Sequence, residues 1–343
     1  EFPKTFYLHC FGSMAGGDTS CSKIHNAIQS LSSILPSLEA FLATKSEVNS
    51  LLYDTDFSDV ISSLLLLPDS GAGDNNLCRW FYDTFQSSIT ELQLLVLRFI
   101  PLICGLYLTR VKERKPLAGF EAILLALYAH ETTSRGGQAV TLNIIDLSHP
   151  SVYHDDKELG KGMGGNNKPP STERNSTVVS VALDPQGTVR ATRRARIVGV
   201  ALELYYKNVI SMPVRSNIDF CEFVVKWSGQ DSDLYMEDLP CLGDRRAEKG
   251  RIPLPWELLQ PVLRILGHCL LGPKGKNEKE QYNAACGACR SLYARALHEM
   301  DPNAILATRS LLRLGKMTAT SKDEVDYTEI IMANSICLTV PST

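Results

Sequence analysis

The chain has 343 residues, of which 44% are hydrophobic and 21% charged, a composition typical of a folded globular protein. Its formal net charge of −3 excludes a global field that would recruit nucleic acid or anionic lipid. The ten cysteines are scattered, several of them in apolar helix-like runs, which indicates a reducing compartment rather than a disulfide scaffold.

Apolar residues at intervals of three and four predict helices through the first part of the chain. The predicted helical regions are 22–44, 48–67, 77–110 and 117–131. The longest of them, 77–110, is expected to divide near Ser87 and Ser88 or at Pro101, and Pro116 is expected to open the helix that follows. Residues 1–21 are predicted to be disordered or vector-derived.

The middle of the chain has a different pattern. Residues 139–147 alternate in part between apolar and polar, which predicts a short strand, and residues 178–183 are its expected partner. The glycine, asparagine, proline and serine content of 157–189 predicts a flexible loop that is cut first in limited proteolysis.

Helical periodicity resumes at Arg193 and continues to Leu314. The predicted helices are 193–209, 216–227, 255–271, 280–300 and 301–314, with Ser216 as the expected cap of the second. The sequence therefore predicts an all-α fold over 22–317, an irregular helical bundle or α-solenoid-like domain with at most a small β-hairpin. Residues 318–343 are predicted to be a polar tail.

One apolar run, 92–108, raises the question of a membrane span. A span needs roughly 20 apolar residues, and a central arginine such as Arg98 costs about 2.5–3.5 kcal/mol. The run is shorter than this and contains Pro101, so a buried, proline-kinked helix is the better prediction.

No motif in the sequence predicts catalysis or a bound metal. Cys286 and Cys289 form a lone CxxC without a second pair, so packing is favoured over zinc binding or redox chemistry. The glycine-rich segments 160–165 and 272–276 lack the spacing of a phosphate loop. A hydrolase using His130, His149 and His154 is the alternative, although no nucleophile elbow accompanies these residues.

A basic cluster lies before the second helical half: Arg190, Arg193, Arg194 and Arg196. Two interpretations remain open for it. It is either a solvated loop and helix entry, or a contact for an acidic partner surface or anionic lipid.

Residues 120–156 contain an apolar helix, a strand-like run and the box SHPSVYH at 148–154. Together with ALELYYKNVISMP at 201–213, this region resembles the hyccin family, and a plant member more than an animal one. The resemblance implies an all-α, non-catalytic subunit of the phosphatidylinositol 4-kinase complex, without a catalytic site, cofactor or metal.

The resemblance also implies the partners. A tetratricopeptide-repeat scaffold subunit binds the chain, together they stabilise the kinase catalytic subunit, and a palmitoylated anchor connects them indirectly to the membrane. We expect a cytoplasmic protein recruited to the plasma membrane, with indirect or peripheral membrane contact and no nucleic acid. A helical adaptor of another pathway remains an alternative. Interface cores favour aromatics, so the candidate partner-binding residues, each either interface or core, are Trp80, Tyr82, Tyr206 and Trp227.

Overall fold

The computed structural model describes residues 17–35, 48–145, 174–185, 187–229, 255–272 and 278–320. The chain divides into two units, one formed by residues 1–127 and 194–343 and the other by residues 128–193. Over the described residues the structure is all-α with one two-stranded antiparallel sheet, which confirms the predicted fold class.

Among the described residues, seven helices precede the strands: α1 (Gly17–Ile34), α2 (Val48–Tyr53), α3 (Thr55–Leu66), α4 (Asn76–Gln86), α5 (Thr90–Leu97), α6 (Ile100–Glu113) and α7 (Ala118–Arg135). Side-chain caps define two of their starts. The carboxylate of Asp54 accepts a hydrogen bond from the Phe57 amide at 2.9 Å, and Asn75 accepts one from the Cys78 amide at 2.9 Å.

The part of the chain that the structure describes has five helices after the strands: α8 (Arg194–Lys207), α9 (Val214–Ser228), α10 (Trp256–Leu271), α11 (Glu278–Glu299) and α12 (Pro302–Thr320). Pro213 and Pro255 occupy the positions before α9 and α10. The carboxylate of Asp301 accepts from the amides of Asn303 and Ala304 at 3.0 and 3.1 Å, which fixes the start of α12.

The strands β1 (Val140–Ile145) and β2 (Arg174–Ser180) pair antiparallel, with Leu142 opposite Thr177. They belong to the smaller unit, in which the Asp184 amide also donates to the Tyr128 hydroxyl at 3.0 Å. The hairpin was predicted, but β2 begins at Arg174, so 174–180 of the predicted flexible loop is strand. Residues 157–173 of that loop lie outside the described part of the chain, and its mobility stays a prediction.

The core of the larger unit contains two aromatic groups. Phe57, Phe81 and Phe99 meet edge to face, with ring centroids 5.6 and 6.3 Å apart. The rings of Tyr205, Phe220, Phe223 and Trp227 follow one another at 6.0–6.4 Å. In the same unit α8 packs against α10, and α9 packs against both α11 and α6.

Several predicted boundaries need correction. Helix α1 begins at Gly17 rather than residue 22, α7 continues to Arg135, and α12 continues to Thr320, past the predicted start of the tail. The predicted helix 48–67 is divided at Asp54, because this residue caps a new helix. Ser216 does not cap α9, since it lies inside the helix and its hydroxyl donates to the Arg98 carbonyl at 2.6 Å.

The apolar run 92–108 forms most of α5 and α6, which meet at Arg98 and Phe99 with a 46° bend. Pro101 is the second residue of α6 rather than the break itself. In the described residues no single helix has the length and composition to cross a membrane, and α5 and α6 together meet those two criteria only as this bent pair. Arg98 is 1% exposed, as the prediction of a buried, bent segment requires.

Candidate protein-interaction surface

Two strongly exposed apolar side chains lie on segments that are in contact, the end of α2 and the turn before α9. Tyr53 is 59% exposed at the end of α2, and Ile210 is 82% exposed in the 3-10 turn Val209–Ser211. The Tyr53 hydroxyl donates to the Ser211 carbonyl at 3.2 Å, so residues distant in sequence share one surface. We call these two residues the Tyr53–Ile210 surface.

A buried polar network lies beside this surface. The guanidinium Nη1 of Arg98 donates to the carbonyls of Leu51 and Asp54 at 3.2 and 3.1 Å, and also to the carbonyl of Leu52. These carbonyls belong to the last turn of α2 and to the residue before α3, where Leu51 and Asp54 also accept from the amides of Asp54 and Ser58 at 3.4 and 3.3 Å. One buried side chain therefore fixes the backbone on both sides of Tyr53.

The same network reaches α8 and α9. Ser216 donates to the Arg98 carbonyl at 2.6 Å, and the Tyr205 hydroxyl lies 2.9 Å from the Ser216 hydroxyl. Tyr205 also donates to the Asn217 side-chain oxygen at 2.9 Å. The network therefore connects the backbone around Tyr53 to α8 and α9 through Arg98, although Nε and Nη2 of Arg98 have no hydrogen-bond partner among the described residues.

Desolvation governs the ionisable groups nearest this network. Burial lowers the pKa of Arg98, while the negative charges of Asp219, Asp54 and Asp59 act in the opposite direction. Burial also raises the pKa of Asp219 from 3.8 to about 6, against the effect of Arg215, whose Nε lies 3.4 Å from its carboxylate. Asp219 is thus a half-buried acid that changes charge close to neutral pH.

An exposed apolar pair beside backbone held by buried hydrogen bonds is suited to binding another protein, because binding energy at interfaces is concentrated in a few well-placed side chains. Among the described residues, no group of three His, Cys, Asp or Glu side chains could hold a metal ion. The family model described as Hyccin matches residues 43–337, most of the chain. The chain belongs to the hyccin family.

Membership of the hyccin family indicates a non-catalytic scaffold or adaptor role. The family match covers every residue of the Tyr53–Ile210 surface and of the network beside it. It also covers the segments on which the sequence resemblance was based. The hyccin-family assignment therefore agrees with the prediction made from those segments.

The four predicted partner-binding aromatics of this hyccin-family chain are placed differently from one another. Trp80 and Trp227 are 4% and 7% exposed. Trp80 donates to the Ala27 carbonyl at 2.9 Å, and Arg295 lies over the Trp227 ring at 5.1 Å. Tyr82 is 38% exposed and Tyr206 is half-buried under Arg264. Burial therefore favours Tyr82 and Tyr206 as contact residues, and the partner-binding role of all four stays a prediction.

The four arginines of the basic cluster are divided between the two units. Arg190 and Arg193 are exposed in the smaller unit, where Arg193 forms an ion pair with Asp184. Arg194 and Arg196 are half-buried at the start of α8 in the larger unit. Their predicted contact with an acidic surface or lipid stays a prediction.

The residues of the hydrolase alternative are only partly described. His130 is exposed on α7, whereas His149 and His154 lie outside the described residues. The CxxC cysteines lie on α11, where Cys289 is fully buried and donates to the Thr308 carbonyl at 3.5 Å. Burial raises the pKa of Cys289 to about 12, which disfavours a thiolate, so packing is the role its environment supports.

Sequence reasoning missed Tyr53, Ile210 and the buried Arg98 network. Ile210 lies two residues before Met212-Pro213, the pair that was predicted to end the helix. A turn of this kind only weakly indicates that Ile210 is exposed. Tyr53 has no local signal, since its apolar neighbours fit a buried helix equally well. Only the pairing of distant segments reveals the surface.

Proposed function

We propose that this chain is a non-catalytic scaffold subunit of a phosphatidylinositol 4-kinase complex at the plasma membrane. It binds a tetratricopeptide-repeat subunit, and together they stabilise and recruit the kinase catalytic subunit for phosphatidylinositol 4-phosphate synthesis. A palmitoylated subunit supplies the anchor indirectly, and the chain itself is cytoplasmic until recruited. The family match over residues 43–337 carries this proposal.

The Tyr53–Ile210 surface supplies a means of binding the repeat subunit. Binding energy at protein interfaces concentrates in a few well-placed side chains, with tyrosine among the most frequent. Tyr53 offers an aromatic ring beside the more exposed Ile210, on backbone held by Arg98. Tyr206, a predicted partner-binding residue, lies four residues before Ile210 on the same segment and extends the candidate contact.

Replacement of Ile210 by aspartate tests this surface. A carboxylate buried in an apolar contact is costly, so Ile210→Asp is expected to weaken binding of the repeat subunit by roughly tenfold or more. The side chain is 82% exposed, so the fold itself tolerates the change. Co-purification with the repeat subunit, followed by titration calorimetry, measures the loss.

Met300→Asp is the matched control. Met300 is 79% exposed and has a positive φ of 55°, a backbone conformation that aspartate adopts readily. The Met300→Asp substitution adds the same charge at the turn between α11 and α12, and it is expected to leave binding of the repeat subunit unchanged. An equal loss in both variants would contradict the assigned surface. If the unaltered chain fails to bind any repeat subunit of the complex, the proposed function itself is wrong.

A further inference from the structure

The outer face of α12 combines exposed apolar and basic side chains. The apolar residues are 69%, 45% and 58% exposed, and the three cations between them are also exposed. We call the following set the α12 outer face: Leu306, Arg309, Arg313, Leu314, Lys316 and Met317. This is a large exposed apolar content for one surface helix, and such a face usually has a binding role.

Helical spacing places these residues on one side. Leu306, Arg313 and Met317 are separated by seven and four residues, so they follow one line along the helix. The opposite side is packed, because the Tyr282 hydroxyl on α11 donates to the Gly315 carbonyl at 2.8 Å, and a Cβ atom at Gly315 would lie 3.6 Å from the Leu270 side chain on α10. The packing of α12 therefore leaves the outer face directed away from these neighbours.

The charge of this segment opposes that of the whole chain. Residues 302–320, which form α12, contain three Lys or Arg and no Asp or Glu, although the net charge of the chain is −3. An anionic surface is thus the complementary partner of α12. The outer face lacks aromatic residues and contains a lysine, whereas the cores of protein interfaces are enriched in aromatics and depleted of lysine.

We propose that the α12 outer face binds the surface of an anionic lipid bilayer. The helix lies in the plane of the headgroups, with the side chains of Leu306, Leu314 and Met317 inserted at the acyl boundary. The cations extend their alkyl stems along the apolar side chains and hold their charges among the lipid phosphates. Contact through one such helix is weak and reversible, so it orients the protein without anchoring it.

The expected contributions follow from charge and exposed area. Each Lys or Arg near an anionic leaflet increases partitioning by roughly fivefold at physiological salt. Insertion of one leucine side chain as exposed as Leu306 increases partitioning onto the membrane by roughly tenfold more. Because the electrostatic part is screened at high ionic strength, binding is expected to fall as salt rises.

Sedimentation of the full chain with vesicles tests the proposal. The vesicles are phosphatidylcholine alone or phosphatidylcholine containing phosphatidylserine, and the unaltered chain is expected to bind only the second. The combined change Arg309→Gln, Arg313→Gln and Lys316→Gln is expected to lower partitioning roughly a hundredfold. Leu306→Ser alone is expected to lower it roughly tenfold, with the same thermal unfolding curve.

Two controls accompany these variants. The first tests whether the position of the charges matters or only the net charge, and the second tests whether charge or the shape of the guanidinium group is needed. The combined change Arg79→Gln, Lys226→Gln and Lys279→Gln removes equal charge from exposed positions on α4, α9 and α11 and is expected to leave partitioning nearly unchanged. Arg309→Lys with Arg313→Lys is expected to retain binding, because attraction to a leaflet depends on charge and not on the guanidinium fork.

Three results of the vesicle assay would overturn the proposal. The first is absence of binding to phosphatidylserine vesicles, and the second is an equal loss of partitioning in the scattered charge control. The third is a loss of partitioning in a variant of the basic cluster, Arg190→Gln with Arg193→Gln, while the α12 variants bind normally. Loss of repeat-subunit binding in the α12 variant with unchanged vesicle partitioning would assign the face to an acidic protein instead. The assay uses the chain alone, so its failure leaves the scaffold proposal intact, and a failed scaffold test leaves the vesicle result intact.

Discussion

At the scale of single residues, Asp219 is expected to control the pH dependence of stability. Its side chain is 16% exposed, and the carboxylate lies near Arg98, Arg215, Glu222 and Asp59. Burial outweighs the two cations and raises its pKa from 3.8 to about 6. Between these values the folded protein holds a proton that the unfolded chain has released, so stability falls as pH rises from about 4 to 6.

Asp219→Asn tests this effect. Since one pKa unit corresponds to ~1.4 kcal/mol, the stability of the unaltered protein relative to the variant is expected to decrease by about 3 kcal/mol across this range. Urea unfolding of both proteins below and above the range measures the difference. Parallel stability curves for the two proteins would show that the folded structure does not perturb this carboxyl.

At the scale of helices, Gly199 determines how closely α8 approaches α10. A Cβ atom at this position would lie 2.4 Å from the Glu257 carbonyl oxygen, a backbone atom that cannot move alone. Gly199→Ala is therefore expected to separate the two helices and destabilise the protein by roughly 1–3 kcal/mol. The denaturation midpoint measures the loss.

Gly287 is the matched control on α11. A Cβ atom there would meet nothing within 4 Å, so alanine adds helix propensity without a clash. Gly287→Ala is expected to stabilise by about 0.5–1 kcal/mol. Equal effects of the two substitutions would mean that the approach of α8 to α10 does not depend on glycine.

At the scale of the whole molecule, the proposed scaffold role couples folding to the partner. A partner that binds only the folded chain stabilises it by about 4 kcal/mol when its concentration is a thousandfold above the dissociation constant. Addition of the repeat subunit is therefore expected to raise the melting temperature of the unaltered chain by several degrees. The Ile210→Asp variant should show a smaller rise at the same partner concentration. A melting temperature that does not respond to the repeat subunit would contradict this coupling.

The sequence by itself determined most of the helices, because their signals are local. Apolar periodicity predicted α7, α9, α10 and α12 near their observed positions, with Pro116 as the expected opening of α7. The alternating run 139–147 predicted β1, and the residues at 120–156 and 201–213 led to the family. Boundaries were less accurate: α7 and α12 continue past the predicted ends at residues 131 and 314, because the local pattern defines the last turn of a helix only weakly.

Tertiary structure alone decided which surfaces remain exposed and which charges are buried. In the sequence Arg98 interrupts an apolar run, yet it is buried because its guanidinium donates to carbonyls of residues far away in the chain. The sequence predicted Ser216 to be a helix cap, yet its hydroxyl donates a hydrogen bond to the carbonyl of Arg98, 118 residues away in sequence. Tyr53 and Ile210 share a surface only after α2 meets the turn before α9. Local sequence specifies backbone conformation, whereas exposure depends on contacts between segments far apart in the chain.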